Sequence, residues 1–182
     1  IDIPSSVTSI GESAFSGCSK LTSIEIPSSV TSIGDKAFYK CISLTGINVD
    51  ENNQNYCSED GVLFNKDKTE LIRYPSKKAD KQYVIPNSVT SIGDTAFSSC
   101  SNLTSIEIPS SVTSIGGYAF YWCRSLTSIE ISNSITSIGA SAFSSCSKLT
   151  TINYHGTEEQ FKEIKIGSGN DYFKNATVNY IE

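Results

Sequence analysis

The sequence predicts a mainly β solenoid, in which short coils of similar sequence stack on one another. The first observation is a phrase of sixteen residues that occurs five times, with starts at Ile3, Ile26, Ile85, Ile108 and Ile131. The second is the spacing of these starts, which is 23, 59, 23 and 23 residues and is kept by the apolar positions. Such recurrence places every copy in the same environment, which a stack of coils provides and an ordinary globular core does not. We number these phrases copies 1 to 5.

Each copy begins with a predicted strand. In copy 2 the stretch LTSIEIP places Ile24 and Ile26 toward the core, because side chains alternate along a strand. Ser23 and Glu25 then face outward, and the proline that follows ends the strand. The next stretch, VTSIG, predicts a second short strand whose glycine suits a turn with positive φ.

The last part of each copy is interpreted as a single helical turn. In copy 2 this stretch is DKAFYKC, and it is expected to carry Ala37, Phe38 and Cys41 inward. One copy cannot bury both its isoleucines and its phenylalanine, so the stability of each coil must come from its neighbours.

The full pattern, L-x-x-I-x-I-P-x-x-V-x-x-I-G-x-x-A-F-x-x-C, resembles the BspA-like leucine-rich repeats, a family also described from treponemal surface proteins. The resemblance covers residues 1–48 and 84–153. It implies a leucine-rich-repeat solenoid of 23-residue coils. It also implies a secreted or surface-attached bacterial protein with a role in adhesion or protein recognition, and it brings no catalytic residues.

We expect a single leucine-rich-repeat domain over residues 1–182. Residues 1–48 and 84–153 are repeats, 49–83 a modified coil with a β-hairpin insertion, and 154–182 a C-terminal cap. The hairpin is predicted from GVLF and ELIRY, which a polar NKDKT separates. Thr157 and Gln160 fit a capping box that opens a short helix. The chain begins in the middle of a repeat and without Met, so we expect upstream repeats or a cap in a parent protein.

The charge and the apolar pattern limit the partners. The formal net charge of −5 argues against nucleic acid or an anionic membrane as the main partner. No apolar run reaches the length of a membrane span, so we expect no direct membrane insertion. The chain is expected to be a monomer.

The sequence offers no support for catalysis, a metal or a cofactor. Five of the six cysteines occupy the repeat position, and buried thiols that fill each coil are favoured over disulfides or a metal site. A nucleophilic site would need the single histidine, His155, which has no motif around it. We therefore expect no enzymatic activity, although two neighbouring outward carboxylates could serve a retaining glycosidase.

Two groups of residues are candidate binding sites. The first is a column of outward carboxylates and hydroxyls on the predicted concave sheet, which could bind a basic protein or simply keep the sheet soluble. Its members are Ser23, Glu25, Ser105, Glu107, Ser128 and Glu130, with Asp2 in the same slot as the glutamates.

The second candidate site is an aromatic group in copy 4. Tyr118, Tyr121, Trp122 and Arg124 occupy slots that are small in most other copies, and copy 2 has one such aromatic residue, Tyr39. Exposed Tyr, Trp and Arg are enriched in binding hot spots. They could equally pack over a neighbouring turn.

The function predicted from these features is non-catalytic recognition or adhesion at a cell surface. The partner would be a protein, such as a host extracellular-matrix or cell-surface protein. Two alternatives stay open. The chain could be a spacer that holds another domain away from the surface, or it could bind carbohydrate.

Overall fold

A computed structural model describes residues 1–181, which form short strands and two short helices. The strands are β1 (Ser9–Ile10), β2 (Ser23–Ile26), β3 (Ser32–Ile33), β4 (Gly46–Val49), β5 (Tyr56–Glu59), β6 (Val62–Asn65), β7 (Glu70–Arg73), β8 (Gln82–Val84), β9 (Ser91–Ile92), β10 (Ser105–Glu107), β11 (Ser114–Ile115), β12 (Ser128–Ser132), β13 (Ser137–Ile138), β14 (Thr151–His155), β15 (Lys165–Ile166) and β16 (Thr177–Ile181). The helices are α1 (Glu158–Lys162) and α2 (Asp171–Lys174).

Longer strands from successive coils pair in parallel and form what we call the main sheet. β8, β10, β12, β14 and β16 are hydrogen-bonded in that order, while β2 pairs separately with β4. Residues 23 positions apart lie side by side, as Ser105 and Ser128 do. Ile24 and Ile26 are buried, whereas Ser23 and Glu25 are exposed, as the alternation predicted. The fold is therefore the predicted mainly β solenoid.

The two-residue strands form a second parallel sheet, the side sheet. One part pairs β1 with β3, and the other orders β7, β9, β11, β13 and β15. β5 and β6 extend the second part at the β7 edge by antiparallel pairing.

The turn segments, which follow the side sheet, differ from the expected single helical turn. Lys36 and Lys40 have left-handed φ values of 55° and 57°, which interrupt a helix. The N–H of Phe15 donates to the carbonyl of Ala37 in the next copy, at 2.8 Å, instead of to its own coil. Alternate N–H groups thus connect neighbouring coils. The side chains of Ala37, Phe38 and Cys41 are buried, as expected.

The repeat glycine has a different purpose from the one expected. The glycines with positive φ in residues 1–181 are Gly17, Gly61 and Gly169, and none of them is the glycine of the VTSIG stretch. A Cβ atom added to Gly139 would lie 2.4 Å from the backbone nitrogen of Gly117 in the preceding coil. The glycine is needed because two backbones approach closely, not because of its φ angle.

The insertion in the middle of the chain is a three-stranded antiparallel meander. The predicted hairpin of β6 and β7 is confirmed, with Phe64 opposite Leu71. The structure adds β5, which the sequence analysis missed. It joins β6 through a tight turn at Asp60 and Gly61, whose φ values of 49° and 76° suit a hairpin turn.

The central strand of the meander, β6, separates two hydrophobic cores. Leu63 packs into the N-terminal core with copies 1 and 2. Val62 and Phe64 pack into the C-terminal core with copies 3 to 5. Because alternate side chains point to opposite faces of a strand, one short strand contributes to both cores.

Both parallel sheets are interrupted between copy 2 and the coil that contains the meander, which we call the insertion coil (residues 49–83). Within residues 1–181, β4 pairs with β2 alone and β3 pairs with β1 alone. Groups of the meander replace the missing partners. The Ile33 N–H donates to the Tyr56 hydroxyl at 2.9 Å, and the Ile47 N–H donates to the Gly61 carbonyl at 2.9 Å.

The cores contain stacked rings and buried thiols. Phe97, Phe120 and Phe143 stack with centroid distances of 5.0 and 4.9 Å. The Cys146 thiol donates to the carbonyl of Phe120 at 3.0 Å, and the Cys123 thiol donates to that of Phe97 at 3.0 Å. All six cysteines are free, and four are fully buried. The repeat thiols of copies 2 to 5 thus bond to the preceding coil.

The C-terminal section adds a further coil with helices. The predicted capping box is present, because Thr157 accepts from the Gln160 N–H and the Gln160 side chain accepts from the Thr157 N–H. β15 extends the side sheet and β16 extends the main sheet, both in parallel. Neither helix in residues 1–181 has the length and apolar character that a membrane crossing requires.

Candidate functional site

The carboxylate column lies on the exposed face of the main sheet. Glu107 lies opposite Glu130 in adjacent strands, and Asp2 forms a bridge with Glu25. Like charges therefore face each other, as the spacing predicted. Such pairs are unfavourable unless a counter-charge is near.

The column is not continuous. Glu25 faces Asn48 on β4, and Glu107 faces Val84 on β8. Since the main sheet is interrupted between β4 and β8, Ser23 and Glu25 belong to a different part of the sheet from the other members. The other members, which lie on β10 and β12, are Ser105, Glu107, Ser128 and Glu130. The expectation of one column is wrong, because the insertion coil breaks the stack.

The one histidine supplies a partner to this column. His155, at the end of β14, has its Nε2 atom 2.5 Å from Oε1 of Glu130. Both side chains are more than 40% exposed, at 44% and 41%. A contact between side chains as exposed as these contributes little to stability. It reduces the carboxylate character of the column at its C-terminal end.

The aromatic residues of copies 2 and 4 meet in one cluster. Tyr121 is at its centre, with ring centroids 5.6 Å from Tyr118, 5.7 Å from Trp122 and 6.2 Å from Tyr39. Trp122 and Tyr118 remain 38% and 39% exposed. Burial, and then the neighbouring Tyr121, raise the pKa of the Tyr39 hydroxyl. The rings therefore form a packed but accessible surface.

Three cations surround these rings. The guanidinium carbon of Arg124 lies 4.3 Å from the ring centroid of Trp122, and Lys40 Nζ lies 5.2 Å from that of Tyr39. Lys36 Nζ lies 5.9 Å from the centroid of Tyr118. None of the three cations forms an ion pair within residues 1–181. We call this set of four rings and three cations the aromatic–cationic cluster.

Sequence reasoning missed Lys36 and Lys40 as members of this cluster. The signal was present in copy 2, where DKAFYKC places lysines in slots that are small or polar in most other copies. The spacing could not show that copies 2 and 4 meet, because the insertion coil and copy 3 lie between them in the chain.

The described residues give no metal-binding arrangement. No group of three or more His, Cys, Asp or Glu side chains in residues 1–181 has a geometry that could hold an ion.

The parallel stacking, the 23-residue register and the leucine, isoleucine and phenylalanine slots define a leucine-rich-repeat solenoid. The family model described as BspA type leucine rich repeat region (6 copies) matches residues 1–77 and 76–181. The chain therefore belongs to the BspA-type leucine-rich repeat family. The C-terminal section, which departs from the repeat phrase, is within the matched range.

Solved bacterial structures share this fold. A leucine-rich repeat protein from Eubacterium ventriosum is 34% identical, with a TM-score of 0.81, over 99% of this chain and 47% of its own. A leucine rich cell surface protein from Faecalibacterium prausnitzii is 35% identical, with a TM-score of 0.65, over 91% of this chain and 56% of its own.

The pneumococcal vaccine antigen PcpA matches 100% of this chain and 57% of its own, with 24% identity and a TM-score of 0.68, and this likeness shows the fold alone. The chain thus spans about half the length of these three structures. No curated protein is significantly similar to it in sequence.

Proposed function

We propose that this chain is a non-catalytic recognition module of a bacterial cell-surface protein and that it binds a protein partner through the aromatic–cationic cluster. The observation that supports the proposal is that four rings and three cations lie together, although they come from two copies that are not neighbours in the chain. None of these cations forms an ion pair within residues 1–181. The cell-surface location is supported by the 35% identity to a protein described as a leucine rich cell surface protein. Family membership supports recognition or adhesion over catalysis.

The charge of the cluster indicates the character of the partner. Lys36, Lys40 and Arg124 give one face three positive charges on a chain whose formal net charge is −5. A partner with an acidic, partly apolar surface would complement both the cations and the rings. Trp122 stacks under Arg124, and this combination of residue types is the one that most often dominates binding energy at interfaces.

The carboxylate column is the weaker candidate. It is divided by the insertion coil, and Glu130 is already engaged with His155. Its outward carboxylates also lack the apolar surface that a stable interface requires.

The test compares binding by variants of the two faces. The chain is used to capture proteins from extracellular-matrix and cell-surface extracts, and each captured protein is identified and its affinity measured. We expect Trp122→Ala or Tyr121→Ala to weaken binding by about 2 kcal/mol or more, roughly thirtyfold. Tyr172→Ala is the matched control, because Tyr172 is equally exposed but lies on α2, away from the cluster.

The outcomes separate the three functions. Protein binding that depends on Glu107 and not on Trp122 would move the site to the main sheet. Glycan binding that is lost in Trp122→Ala would make the chain a carbohydrate-binding module. The absence of any partner that distinguishes the variants from the wild type would support a spacer.

A further inference from the structure

The turn segments of successive coils form a third ladder, in addition to the main sheet and the side sheet. In copy 1 the N–H groups of Ser13, Phe15 and Gly17 donate to three carbonyls of copy 2, at 2.8–2.9 Å. Copy 3 repeats this pattern toward copy 4, and copy 4 repeats it toward copy 5. Each of these three copies thus offers three donors at alternate positions, and the next coil supplies three carbonyls at alternate positions of its own turn segment.

Copy 2 is the exception. Its equivalent donors are the N–H groups of Lys36, Phe38 and Lys40, and none of them has a hydrogen-bond partner among residues 1–181. Phe38 is only 3% exposed. Lys36 and Lys40 are exposed, but a buried backbone N–H group without a partner is rare in folded proteins, so the Phe38 N–H requires an explanation.

The interruption between copy 2 and the insertion coil is the cause. At the two interrupted sheets, however, the meander supplies new acceptors. Tyr56 accepts from Ile33, Gly61 from Ile47, and Ser58 from Val49. The third ladder receives no such replacement within the part of the chain that the structure describes.

A cavity of about 370 Å³ lies beside Lys36 and Phe38, the first two residues of this row. Its walls come from copy 2, the insertion coil and copy 3, and they include Lys36, Phe38 and Arg73. Its size is within the range of about 300–1,000 Å³ that is typical of ligand sites.

A buried arginine in the wall of this cavity has one donor left over. Arg73 is 2% exposed, and its guanidinium donates to the carbonyls of Thr95 and Ser98 and to the Ser76 hydroxyl. Its Nε atom is buried and has no hydrogen-bond partner among residues 1–181. No carboxylate within residues 1–181 lies in ion-pair distance of Arg73.

The cavity thus adjoins free backbone donors that occur at alternate residues of copy 2. Residues 36, 38 and 40 alternate in the way that carbonyl groups alternate along an extended chain, whereas a compact ion would meet only one or two of them. The cavity wall also contains three carboxylates, of Asp35, Glu70 and Asp94, against the two cations Lys36 and Arg73. This balance disfavours a small anion and favours a segment with a basic side chain.

We propose that an extended peptide segment of a partner protein, carrying at least one basic side chain, binds between copy 2 and the insertion coil and completes the interrupted ladder. Its carbonyls accept from the N–H groups of Lys36, Phe38 and Lys40, and its basic side chain lies near Glu70 and Asp35. This is the addition of an extended chain to an unpaired backbone edge. The site adjoins the aromatic–cationic cluster but does not depend on the function proposed for it.

The probe that we would use is the blocked heptapeptide GDKAFYK, the sequence of residues 34–40. In the folded chain the carbonyls of this stretch already accept from the corresponding N–H groups of copy 1, and its two lysines provide the basic side chains. The measurement is amide hydrogen exchange and amide chemical shift, residue by residue, in the whole chain.

In the free protein we expect the Phe38 amide to exchange at least tenfold faster than those of Phe15, Phe97 and Phe120. Millimolar peptide should slow it at least tenfold and shift the amide signals of Lys36, Phe38 and Lys40 in a saturable manner. Glu70→Gln should weaken the peptide severalfold. Glu12→Gln is the matched control, because Glu12 fills the same slot as Asp35 in copy 1 and does not line the cavity.

Three outcomes would overturn the proposal. The Phe38 amide could be as protected in the free protein as its equivalents, or the peptide could leave all three amides unchanged. Acetate could also produce the same protection and shifts as the peptide, in which case the occupant is a small carboxylate and not an extended chain.

Discussion

At the scale of single residues, Gly139 shows how a repeated glycine can be required for a reason that its sequence context does not reveal. A glycine that follows isoleucine in the VTSIG stretch suggests a turn with positive φ. In the structure, this glycine instead lies where the backbones of two neighbouring coils are in contact. A Cβ atom on Gly139 would lie 2.4 Å from Gly117 N and 2.6 Å from Gly116 C. Backbone atoms cannot move aside as a flexible side chain can.

The first residue-scale prediction is that Gly139→Ala destabilises the chain by about 2 kcal/mol or more, because the added methyl group forces two coils apart. Chemical denaturation of the whole chain measures this effect.

Gly11→Ala is the matched control, because Gly11 has the same place in copy 1 and a Cβ atom there would meet nothing within 4 Å. This substitution should change the stability by less than about 0.5 kcal/mol. Equal losses for both variants would show that the glycine is required for its conformation and not for the space.

Buried asparagines are a second residue-scale feature that the sequence analysis did not predict. Asn53 lies in the polar stretch DENNQN, yet it is fully buried. Its amide donates to the carbonyls of Pro27 and Val30, and its side-chain oxygen accepts from two N–H groups. Periodicity cannot identify such a residue, because Asn53 lies in a coil that departs from the repeat.

At the scale of elements, the meander shows where pattern reasoning succeeds and where it fails. β6 and β7 were predicted because each is a short apolar stretch and a polar loop joins them. β5, with the sequence YCSE, has little apolar character and was missed. The following Asp60-Gly61 pair was the available signal, since Asp-Gly between two strands is typical of a tight hairpin turn.

The element-scale prediction concerns β6, which belongs to both cores. Leu63→Ala should destabilise the chain by about 2–5 kcal/mol, because Leu63 is fully buried and its truncation leaves a cavity. Since Leu63 packs only into the N-terminal core, hydrogen exchange should accelerate more in β2 and β4 than in β12.

Leu126→Ala gives the complementary comparison. Leu126 is 1% exposed and belongs to the C-terminal core, so this variant should accelerate exchange more in β12 than in β2. If both variants affect both sections equally, the two cores unfold as a single cooperative unit and β6 does not separate them.

At the scale of the whole molecule, the repeats could be predicted closely and the candidate sites could not. Each regular coil has the same neighbours, so the residues of one copy determine its strands, its buried face and its register with the next. The cluster of Tyr39 with Tyr121, and the unpaired donors of copy 2, both depend on what the insertion coil does to the stack. That is a property of one coil that occurs once, and no periodic signal describes it.

The same stack of buried thiols predicts how the whole chain responds to alkaline pH. Burial raises the pKa of the Cys146 thiol to about 12 from its ordinary value of 9.0, and burial also raises the pKa values of Cys41 and Cys123. The folded chain therefore keeps these protons at a pH where the unfolded chain releases them. Because the unfolded state then binds fewer protons, stability falls as the pH rises above about 9.

The Cys146 thiol alone should lower the free energy of unfolding by about 1 kcal/mol between about pH 9 and pH 10. Urea denaturation at a series of pH values measures the slope, and Cys146→Ala should make it shallower by the contribution of one thiol. The comparison uses slopes because this substitution also lowers the stability at neutral pH by removing a packed side chain. An unchanged slope in Cys146→Ala would mean that this thiol has the same pKa in the folded and unfolded chain, and hence that the coil around it admits water.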